Sequence, residues 1–409
     1  MFDDLFDNCL RINPAQQAGD ALKPLPTCKG VLFFTDDNDR PIQLLIAANI
    51  RRTVIYRLLP QAPAASKKRA DISRITRKIY YCRCYNDFKS ALKHYSIAKA
   101  VYPDSWRDVV NLPRQSYVKI EPAAKWSFFS LTDKVSVSNK EKLFGPFPTR
   151  KAAGDFIQIL QNAFALCQRP ALIETGQKAV SCPYLQMDSC GAPCVGKVSR
   201  PEYLQQITDA ISAAGGNIKA QMEKLQNHMR QLSRQRAFEQ AQAVKKQLTQ
   251  LELLSNQKYH WTTELPNLAI LHIDASAKIA SPGKRGKTQT YSAFLIKPGR
   301  IAELADFTLE NIGEFHKLFL AQLPQPADCT NLEQLSEQLS LLAYFLYRTK
   351  PAGIWIDCSD KQYTIGVEEI RNAICKRFEI EPEHQTHTTK KDAGTTQHPN
   401  RGSNSPNRI

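Results

Sequence analysis

The centre of the chain contains the stretch Cys182-Pro183-Tyr184-Leu185-Gln186-Met187-Asp188-Ser189-Cys190-Gly191-Ala192-Pro193-Cys194-Val195-Gly196. Its three cysteines are spaced C-x7-C-x3-C, and the Gly-Ala-Pro between the last two favours a tight turn. Thiolates that converge from a turn suit a soft metal ion or an iron–sulfur cluster. Cys167 lies 15 residues before Cys182 and is the natural fourth ligand. The alternative interpretation is that these cysteines are buried as small apolar side chains.

The composition bounds the class of protein. A chain of 409 residues is long enough for two to four domains, and 42% hydrophobic with 23% charged residues is typical of soluble globular proteins. No apolar run approaches the roughly 18 residues that a membrane span needs, and the acidic start Met1-Phe2-Asp3-Asp4-Leu5 lacks the pattern of a signal peptide. An odd count of 11 cysteines argues against a secreted disulfide framework. We therefore expect a cytoplasmic protein with no membrane association.

The net charge of +16 indicates a polyanionic partner, because phosphate contacts supply affinity that does not depend on sequence. The basic residues are concentrated between positions 51 and 80, where nine Lys or Arg face a single Asp. A solvated face or a flexible loop would also explain this run. The cluster favours a DNA-binding surface formed by Arg51, Arg52, Lys67, Lys68, Arg69, Arg74, Arg77 and Lys78.

The hydrophobic pattern predicts a small α+β domain near the N-terminus. Two apolar runs, 30–35 and 42–48, flank Asp36-Asp37-Asn38-Asp39 and indicate a β-hairpin. Asn49 is suited to cap a following helix. Farther on, the pattern predicts a helix over 70–78, a strand over 79–84 and a helix over 86–99.

The rest of the chain alternates strands and helices. We expect strands within 117–150, a helix over 149–167, and two long helices over about 217–235 and 237–256. The last domain is predicted to contain strands at 268–274, 290–297, 300–306 and 353–358 and helices at 310–323, 331–348 and 364–378. The fold class is therefore α+β and multidomain. The expected segments are an N-terminal extension (1–24), the small domain (25–105), linking strands with the cysteine-rich region (106–216), a helical hairpin (217–256), an α/β domain (267–380) and a disordered tail (381–409).

The predicted hairpin has the features of a docking element. Apolar residues lie on one side of its second helix, and Phe238 would be exposed at the tip. A projecting aromatic side chain with charged neighbours is typical of an interaction hot spot. An ordinary hairpin that closes on its own domain is the alternative.

Three motifs resemble the UvrC family, the incision subunit of bacterial nucleotide-excision repair. They are Phe144-Gly145-Pro146-Phe147-Pro148, the cysteine run ending in Pro193-Cys194-Val195, and Met229–Leu251, which resembles the UVR hairpin that docks onto UvrB. The resemblance covers roughly residues 25–380. It implies a 4Fe-4S cluster held by Cys167, Cys182, Cys190 and Cys194, with zinc as the alternative, and it implies DNA and a UvrB-like helicase as partners, with no small-molecule substrate. The residues that would contact the helicase are Met229, Phe238, Glu239, Ala241 and Leu248.

Residues 25–105 resemble the GIY-YIG nuclease domain of that family, beginning at Leu25-Pro26-Thr27-Cys28-Lys29-Gly30-Val31. The chemistry requires tyrosine to help deprotonate water, arginine to neutralise charge on the phosphate, and glutamate to hold a divalent metal. The matched positions hold Leu32, Gln43, Thr53 and Lys93 instead. The resemblance therefore implies a degenerate nuclease fold that no longer cuts DNA and acts as a DNA-binding scaffold.

An active endonuclease is the alternative function. It would use shifted residues such as Arg51 and Arg52, or a metal held by Asp274 and Asp357, which both close apolar runs. An Asp at a strand end is also a common turn former. Residues 267–380 resemble the segment that precedes the RNase H-like nuclease domain of UvrC, and neither that nuclease domain nor the helix-hairpin-helix pair is recognisable in the sequence.

Overall fold

The computed structural model describes residues 2–12, 21–58, 71–136, 138–174, 182–187, 189–280, 286–360 and 365–380. Three antiparallel sheets of four strands each, together with the helices around them, make up this part of the chain. The predicted α+β class is confirmed. Among the described helices, none combines the length and the apolar character that crossing a bilayer requires.

The first sheet has the strand order β1-β4-β2-β3. Its strands are β1 (Asn8–Arg11), β2 (Gly30–Thr35), β3 (Pro41–Ala47) and β4 (Lys78–Arg83). The predicted hairpin is confirmed, since β2 and β3 pair antiparallel from Gly30 opposite Ala47 onward. The sequence placed residues 8–11 in an extension outside this domain, whereas they pair with β4 and form an edge of its sheet.

Helices cover both faces of the first sheet. They are α1 (Ile50–Leu58), α2 (Asp87–Val101) and the short α3 (Trp106–Val109). Leu32 packs with α1 on one face, and Phe33 packs with α2 and α3 on the other. The helix predicted over 70–78 is wrong for the described residues 71–77, which form a turn held by the Asp71 carboxylate, an acceptor for Ser73 N–H at 2.9 Å.

The second sheet has the strand order β6-β5-β7-β8. Its strands are β5 (Tyr117–Ile120), β6 (Ser130–Thr132), β7 (Lys142–Gly145) and β8 (Thr263–Glu264). α4 (Arg150–Ala163) packs on it and begins at Thr149, whose hydroxyl accepts the Ala152 N–H at 3.1 Å. This helix ends four residues before Cys167, earlier than predicted, because Ala165 takes a left-handed backbone with φ of 51°.

Helices connect the second and third sheets. They are α5 (Pro170–Glu174), α6 (Pro183–Gln186), α7 (Arg200–Ala214), α8 (Ile218–Arg234) and α9 (Phe238–Glu252). Ser199 and Glu202 form a capping box at the start of α7. The hairpin of α8 and α9 agrees with the two predicted long helices.

The third sheet has the strand order β11-β10-β9-β12. Its strands are β9 (Ile270–Ala280), β10 (Lys287–Lys297), β11 (Arg300–Glu303) and β12 (Ile354–Asp357). The helices beside it are α10 (Ile312–Gln322), α11 (Leu332–Leu346) and α12 (Val367–Phe378). The predicted elements of this domain are confirmed, except that β9 and β10 extend farther toward each other.

α2 joins the first sheet to the third. Phe88 is fully buried and its ring meets those of Phe294, Phe345 and Trp355 at centroid distances between 5.1 and 5.4 Å. Beside it, the Asn86 amide donates to the Ser292 hydroxyl at 2.8 Å. The side chains of α2 therefore belong to the core of the last domain as well as to that of the first.

Candidate functional sites

The four cysteines of the predicted metal centre come from four separate pieces of backbone. Cys167 follows α4, Cys182 precedes α6, Cys190 begins the glycine turn, and Cys194 lies in a 3-10 turn. The first three are buried and Cys194 is half-buried. The glycine turn is fixed against the end of α4, because Gly191 N–H donates to the Ala165 carbonyl at 2.7 Å.

The electrostatics place the four thiols in one neighbourhood. The pKa of Cys167 is raised to about 11, chiefly by burial and in part by the charges of Cys190, Cys194 and Cys182. Burial also raises the pKa of Cys190, with added contributions from Cys182 and Cys194. Such mutual effects require short separations, since the interaction falls with distance.

Proximity of the thiols is not the same as a formed metal site. Among the residues that the structure describes, no group of three or more His, Cys, Asp or Glu side chains is arranged to hold a metal ion. Residues 175–181 and 188, which flank Cys182 and Cys190, lie outside the described ranges. The metal centre therefore stays a prediction.

Two buried polar atoms on α7 lie near the cysteine-rich turn and were missed by the sequence analysis. Tyr203 is fully buried and its hydroxyl has no hydrogen-bond partner, and the Oε1 atom of Gln206, one turn farther, is also buried without one. Both lie beside the cysteines, since Cys167 and Cys190 raise the pKa of the Tyr203 phenol and a side chain on Gly191 would approach Gln206 Oε1 to 3.4 Å. Their sequence signal is weak: a tyrosine and a glutamine three apart on a helix face otherwise built from Ile207 and Ala210.

The positions matched to a nuclease active site do not converge. Leu32 is fully buried in the apolar layer under α1, and Gln43 has a buried Oε1 atom without a partner. Thr53 is half-exposed on α1, whereas Lys93 is exposed on α2, which covers the opposite face of the sheet. The structure therefore provides no shared cleft for these four side chains.

Lys93 borders a cavity of about 520 Å³ between the first and last domains. The residues around it are Asp7, Cys82, Arg83, Tyr85, Lys89, Lys93 and Glu303. Its two carboxylates already have cationic partners, because Asp7 lies 3.8 Å from Arg83 and Glu303 lies 2.5 Å from Lys89. Three cations against two paired carboxylates make this cavity a poor site for a divalent metal.

The alternative metal pair is wrong. Asp274 lies inside β9, which continues to Ala280, and it does not close the strand as the sequence suggested. β12 runs antiparallel to β9 and places Asp357 opposite Ile270. Four residues of strand separate that position from Asp274, or about 13 Å at roughly 3.3 Å per residue, so the two carboxylates cannot share one ion.

Some cations of the predicted DNA surface are exposed to solvent, and others form hydrogen bonds or ion pairs within the protein. Arg52 and Arg74 are exposed, and neither forms an ion pair among the described residues. Arg51 instead donates from Nε to the Leu25 carbonyl at 2.6 Å, and Lys78 pairs with Asp39 at 2.8 Å. Arg77 donates to the Arg74 carbonyl at 2.8 Å. Lys67, Lys68 and Arg69 lie outside the described residues.

The tip of the hairpin presents Phe238 with 67% of its surface exposed, next to the exposed Glu239. Two other residues predicted to contact a partner have a different role. Met229 and Ala241 pack inside the hairpin with Leu232, where they hold its two helices together. Leu248 is half-buried farther along α9. The exposed apolar surface is therefore smaller than the motif suggested and is centred on Phe238.

A multidomain α+β protein with a cysteine-rich centre and a projecting helical hairpin can be compared with known proteins. Residues 116–213 match the family described as UvrC/Cho excinuclease, middle domain. The curated relatives include "UvrABC system protein C" from Helicobacter hepaticus, 27% identical over 246 residues, which are 58% of this chain and 38% of the relative. The same protein from Finegoldia magna is 23% identical over 316 residues, which are 74% of this chain and 49% of the relative.

The relative from Clostridioides difficile is 23% identical over 297 residues, which are 71% of this chain and 47% of the relative. No solved structure matches the chain. The chain is similar to these UvrC proteins, as the motifs indicated, and it spans less than half the length of these three relatives.

Proposed function

We propose that this protein is a DNA-binding scaffold of nucleotide-excision repair whose GIY-YIG-like domain, residues 25–105, does not cut DNA. The observation that supports this most strongly is where the structure places the residues that match the catalytic positions. Leu32 is sealed in an apolar core, and Lys93 extends from a helix on the other face of the sheet. Phosphodiester hydrolysis needs metal and charge stabilisation at one point, so these positions cannot act together.

The docking of α2 supports the same conclusion. Phe88 and Asn86 fasten this helix to the last domain, and the Asp87 carboxylate is held by Lys29 and by Arg348 at 3.2 Å. These contacts give α2 a structural role, because they hold the first and last domains together. The substitution of lysine at position 93 leaves an ammonium group where the family pattern requires a metal ligand.

Binding of DNA and of a UvrB-type helicase completes the proposal. The relatives are named as parts of the UvrABC system, and the net charge of +16 suits a polyanion. Arg52 and Arg74 offer exposed guanidinium groups to phosphate. Phe238 offers the helicase an aromatic anchor on the hairpin of residues 217–256, which resembles the UVR motif.

A soft inorganic centre held by Cys167, Cys182, Cys190 and Cys194 is the further part of the proposal. The donor set of four sulfurs suits a 4Fe-4S cluster and also zinc. Such a centre would tie the end of α4 to the glycine turn and to the start of α7, and would stabilise the middle domain. The burial of three of these cysteines in one part of the middle domain supports it, because a metal would neutralise thiolates that are held away from water.

A nicking assay on damaged duplex DNA, with Mg²⁺ or Mn²⁺ and a UvrB-type helicase, tests the scaffold proposal. We expect no incision by the wild type and none by the double variant Arg51→Ala/Arg52→Ala. Lys93→Glu restores the metal-binding residue type and should still not cut, because no tyrosine or arginine stands beside it. Incision by the wild type would overturn the proposal, whether or not it persists in the arginine double variant.

A further inference from the structure

We propose that the outer part of the β9–β10 hairpin is a second DNA-binding element, which contacts phosphates of duplex DNA through Lys278 and Lys287. This part, residues 276–280 with 287–290, is called the ribbon below. The inference rests on the proposed DNA-binding function and extends it to the last domain, far from the basic run at 51–80. Residues 281–285, which join the two strands, lie outside the described ranges.

The ribbon extends past the four-stranded sheet to which it belongs. On one side, β12 pairs with β9 at residues 270–273, and on the other, β11 pairs with β10 at residues 294–297. Beyond the isolated bridge between Tyr291 and Phe307, the two ribbon strands pair with each other and with no further strand of the described chain. Residues 276–280 of β9 therefore continue the hairpin for about 16 Å, at roughly 3.3 Å per residue.

A β-bulge fixes the direction in which the ribbon leaves the sheet. Ser276 and Ala277 of β9 lie opposite the single residue Thr290 of β10. The Thr290 hydroxyl donates to the Ala277 carbonyl at 2.7 Å, and the Gln289 amide donates to the Ser276 carbonyl at 2.8 Å. A bulge bends its strand and increases the local twist. These side-chain hydrogen bonds therefore hold the ribbon in one orientation relative to the sheet.

The register of the two strands places both lysines on one face of the ribbon. Lys278 lies opposite Gln289, and Ala280 lies opposite Lys287. Side chains alternate between the two faces along a strand, and residues directly opposite each other share a face. Lys278 and Lys287 are therefore diagonal neighbours, with their backbones roughly 7–8 Å apart.

Both lysines are available to a ligand. Lys278 and Lys287 are exposed, and neither has an ion pair or a side-chain hydrogen bond within the part of the chain that the structure describes. Ala280, which shares their face, is also exposed and adds no bulk between them. A two-stranded hairpin that buries so little surface is marginally stable on its own, so burial does not account for this extension.

The base of the ribbon lies beside α2 of the first domain. Lys89 of α2 pairs with Glu303 of β11 at 2.5 Å, and the Ser276 hydroxyl donates to the Asp306 carboxylate at 2.8 Å. Both carboxylates at the base therefore have partners already. Lys93 lies one turn after Lys89 on the same side of α2 and is exposed. A polyanion bound to the ribbon thus has a further exposed cation of the first domain near its base.

Duplex DNA fits this arrangement. A two-stranded β-ribbon is narrow enough to enter the major groove of B-DNA. Lysine side chains bind the phosphates that flank the groove, and the backbone N–H groups on the outer edges of the ribbon can donate to phosphate oxygens as well. The net charge of +16 favours the same class of ligand.

The test measures binding of the full chain to a labelled DNA duplex by fluorescence anisotropy at several salt concentrations. Lys278→Gln/Lys287→Gln removes the two charges of the ribbon, and Lys278→Arg/Lys287→Arg keeps them. The matched control is Lys219→Gln/Lys376→Gln, which removes two exposed cations from α8 and α12. The melting temperature of each variant is measured as well, and it should equal that of the wild type because all four lysines are exposed.

We expect Lys278→Gln/Lys287→Gln to bind DNA roughly tenfold more weakly than wild type and to reduce the slope of log affinity against log salt by about 2, because two phosphate contacts are lost. The arginine variant and the control should keep the slope of the wild type. An unchanged slope in the glutamine variant of the ribbon, with DNA still bound by the wild type, would overturn this inference and leave the proposed DNA binding standing. An equal reduction in the control would also overturn it, since only the total charge would then matter. Wild type that does not bind DNA would overturn both the inference and the proposed DNA-binding function.

Discussion

The Phe88 ring of α2 meets the Phe345 ring of α11 edge-on, with centroids 5.2 Å apart and planes at 84°. This contact joins residues 257 positions apart in the chain, and Phe88 is as fully buried as any side chain of the last domain. The same helix contacts α11 again two turns farther along, where Tyr95 O–H donates to the buried Glu337 carboxylate at 2.6 Å. The first and last domains therefore share one core along α2.

Removal of the Phe88 ring should weaken the whole molecule. Phe88→Ala leaves a cavity among aromatic rings, and we expect the free energy of unfolding to fall by about 3–5 kcal/mol in urea titrations. Phe238→Ala is the matched control, because it is the same substitution at an exposed ring and should change stability by less than about 0.5 kcal/mol. Equal effects of the two substitutions would contradict the shared core.

Asp274 should make the free energy of unfolding fall as the pH rises, which is the opposite of what most carboxylates do. The pKa of its carboxyl is raised to about 6, chiefly by burial and in part by nearby Asp87, while the Ala275 amide, Arg377 and Lys29 lower it. Between about pH 4 and pH 6, the folded state therefore keeps a proton on Asp274 that the unfolded state, in which the carboxyl has a pKa of about 3.9, has released. This contribution to stability is complete below about pH 4, declines as the pH rises to 6, and is absent above that.

Asp274→Asn keeps the side chain neutral at every pH and retains an oxygen for the Ala275 N–H, which Asp274 accepts at 2.8 Å. A pKa displacement of about 2 units is worth about 3 kcal/mol, so the variant should exceed wild type by that amount near pH 7. The difference should vanish near pH 4. The measurement is the free energy of unfolding of both proteins at several pH values, with Asp104→Asn at an exposed carboxylate as the control. A constant difference across this range would exclude a buried, titrating Asp274.

DNA binding should depend on the exposed cations of the first domain. Arg52→Gln and Arg74→Gln should each weaken binding to all sequences alike and reduce the slope of log affinity against log salt by about 1. Lys376→Gln, an exposed cation on α12, serves as the control. Arg51→Gln should lower stability instead, because its Nε group holds the Leu25 carbonyl. An unaltered salt slope in both arginine variants would place the DNA surface elsewhere.

Metal binding should distinguish the four central cysteines from the remaining ones. Cys190→Ser should lose the bound iron or zinc and lower the melting temperature, because ligand loss removes binding energy that also stabilises the fold. Cys358→Ser should keep the metal, since that half-buried thiol lies just after β12 in the last domain. Metal analysis of anaerobically purified protein gives the result. Equal metal content in the two variants would show that the cysteine run is not a ligand set.

Local signals in the sequence predicted much of this fold. The Asp-rich link after Thr35 indicated the β2–β3 hairpin, and the predicted start of a helix at position 149 is confirmed by α4. In each case the determining interactions lie within a few residues of one another. The same holds for the alternation of strands and helices after residue 267.

Features that depend on distant pairing could not be predicted in this way. The short polar strand at Asn8–Arg11 has no hydrophobic alternation, and only its pairing with β4 defines it. The antiparallel pairing of β12 with β9 separates Asp357 from Asp274, and no local sequence pattern predicts that pairing. Tyr203 was overlooked for the same reason, because its place in one buried cluster with Cys167 depends on parts of the chain that are distant in sequence.

The hairpin tip provides the last prediction. Phe238→Ala should weaken binding to the C-terminal hairpin of a UvrB-type helicase by at least roughly tenfold, because an exposed aromatic anchor commonly contributes about 2 kcal/mol or more. Helix content should not change, since Phe238 lies outside the apolar contacts that join α8 and α9.

Two control variants accompany Phe238→Ala. Gln240→Ala changes an exposed neighbour and should bind the helicase normally. Ala241→Asp places a charge inside the hairpin and should abolish binding together with helix content. Isothermal titration and circular dichroism separate these outcomes. Undiminished binding by Phe238→Ala, with Ala241→Asp unfolded, would mean that the helicase contacts another face of the hairpin.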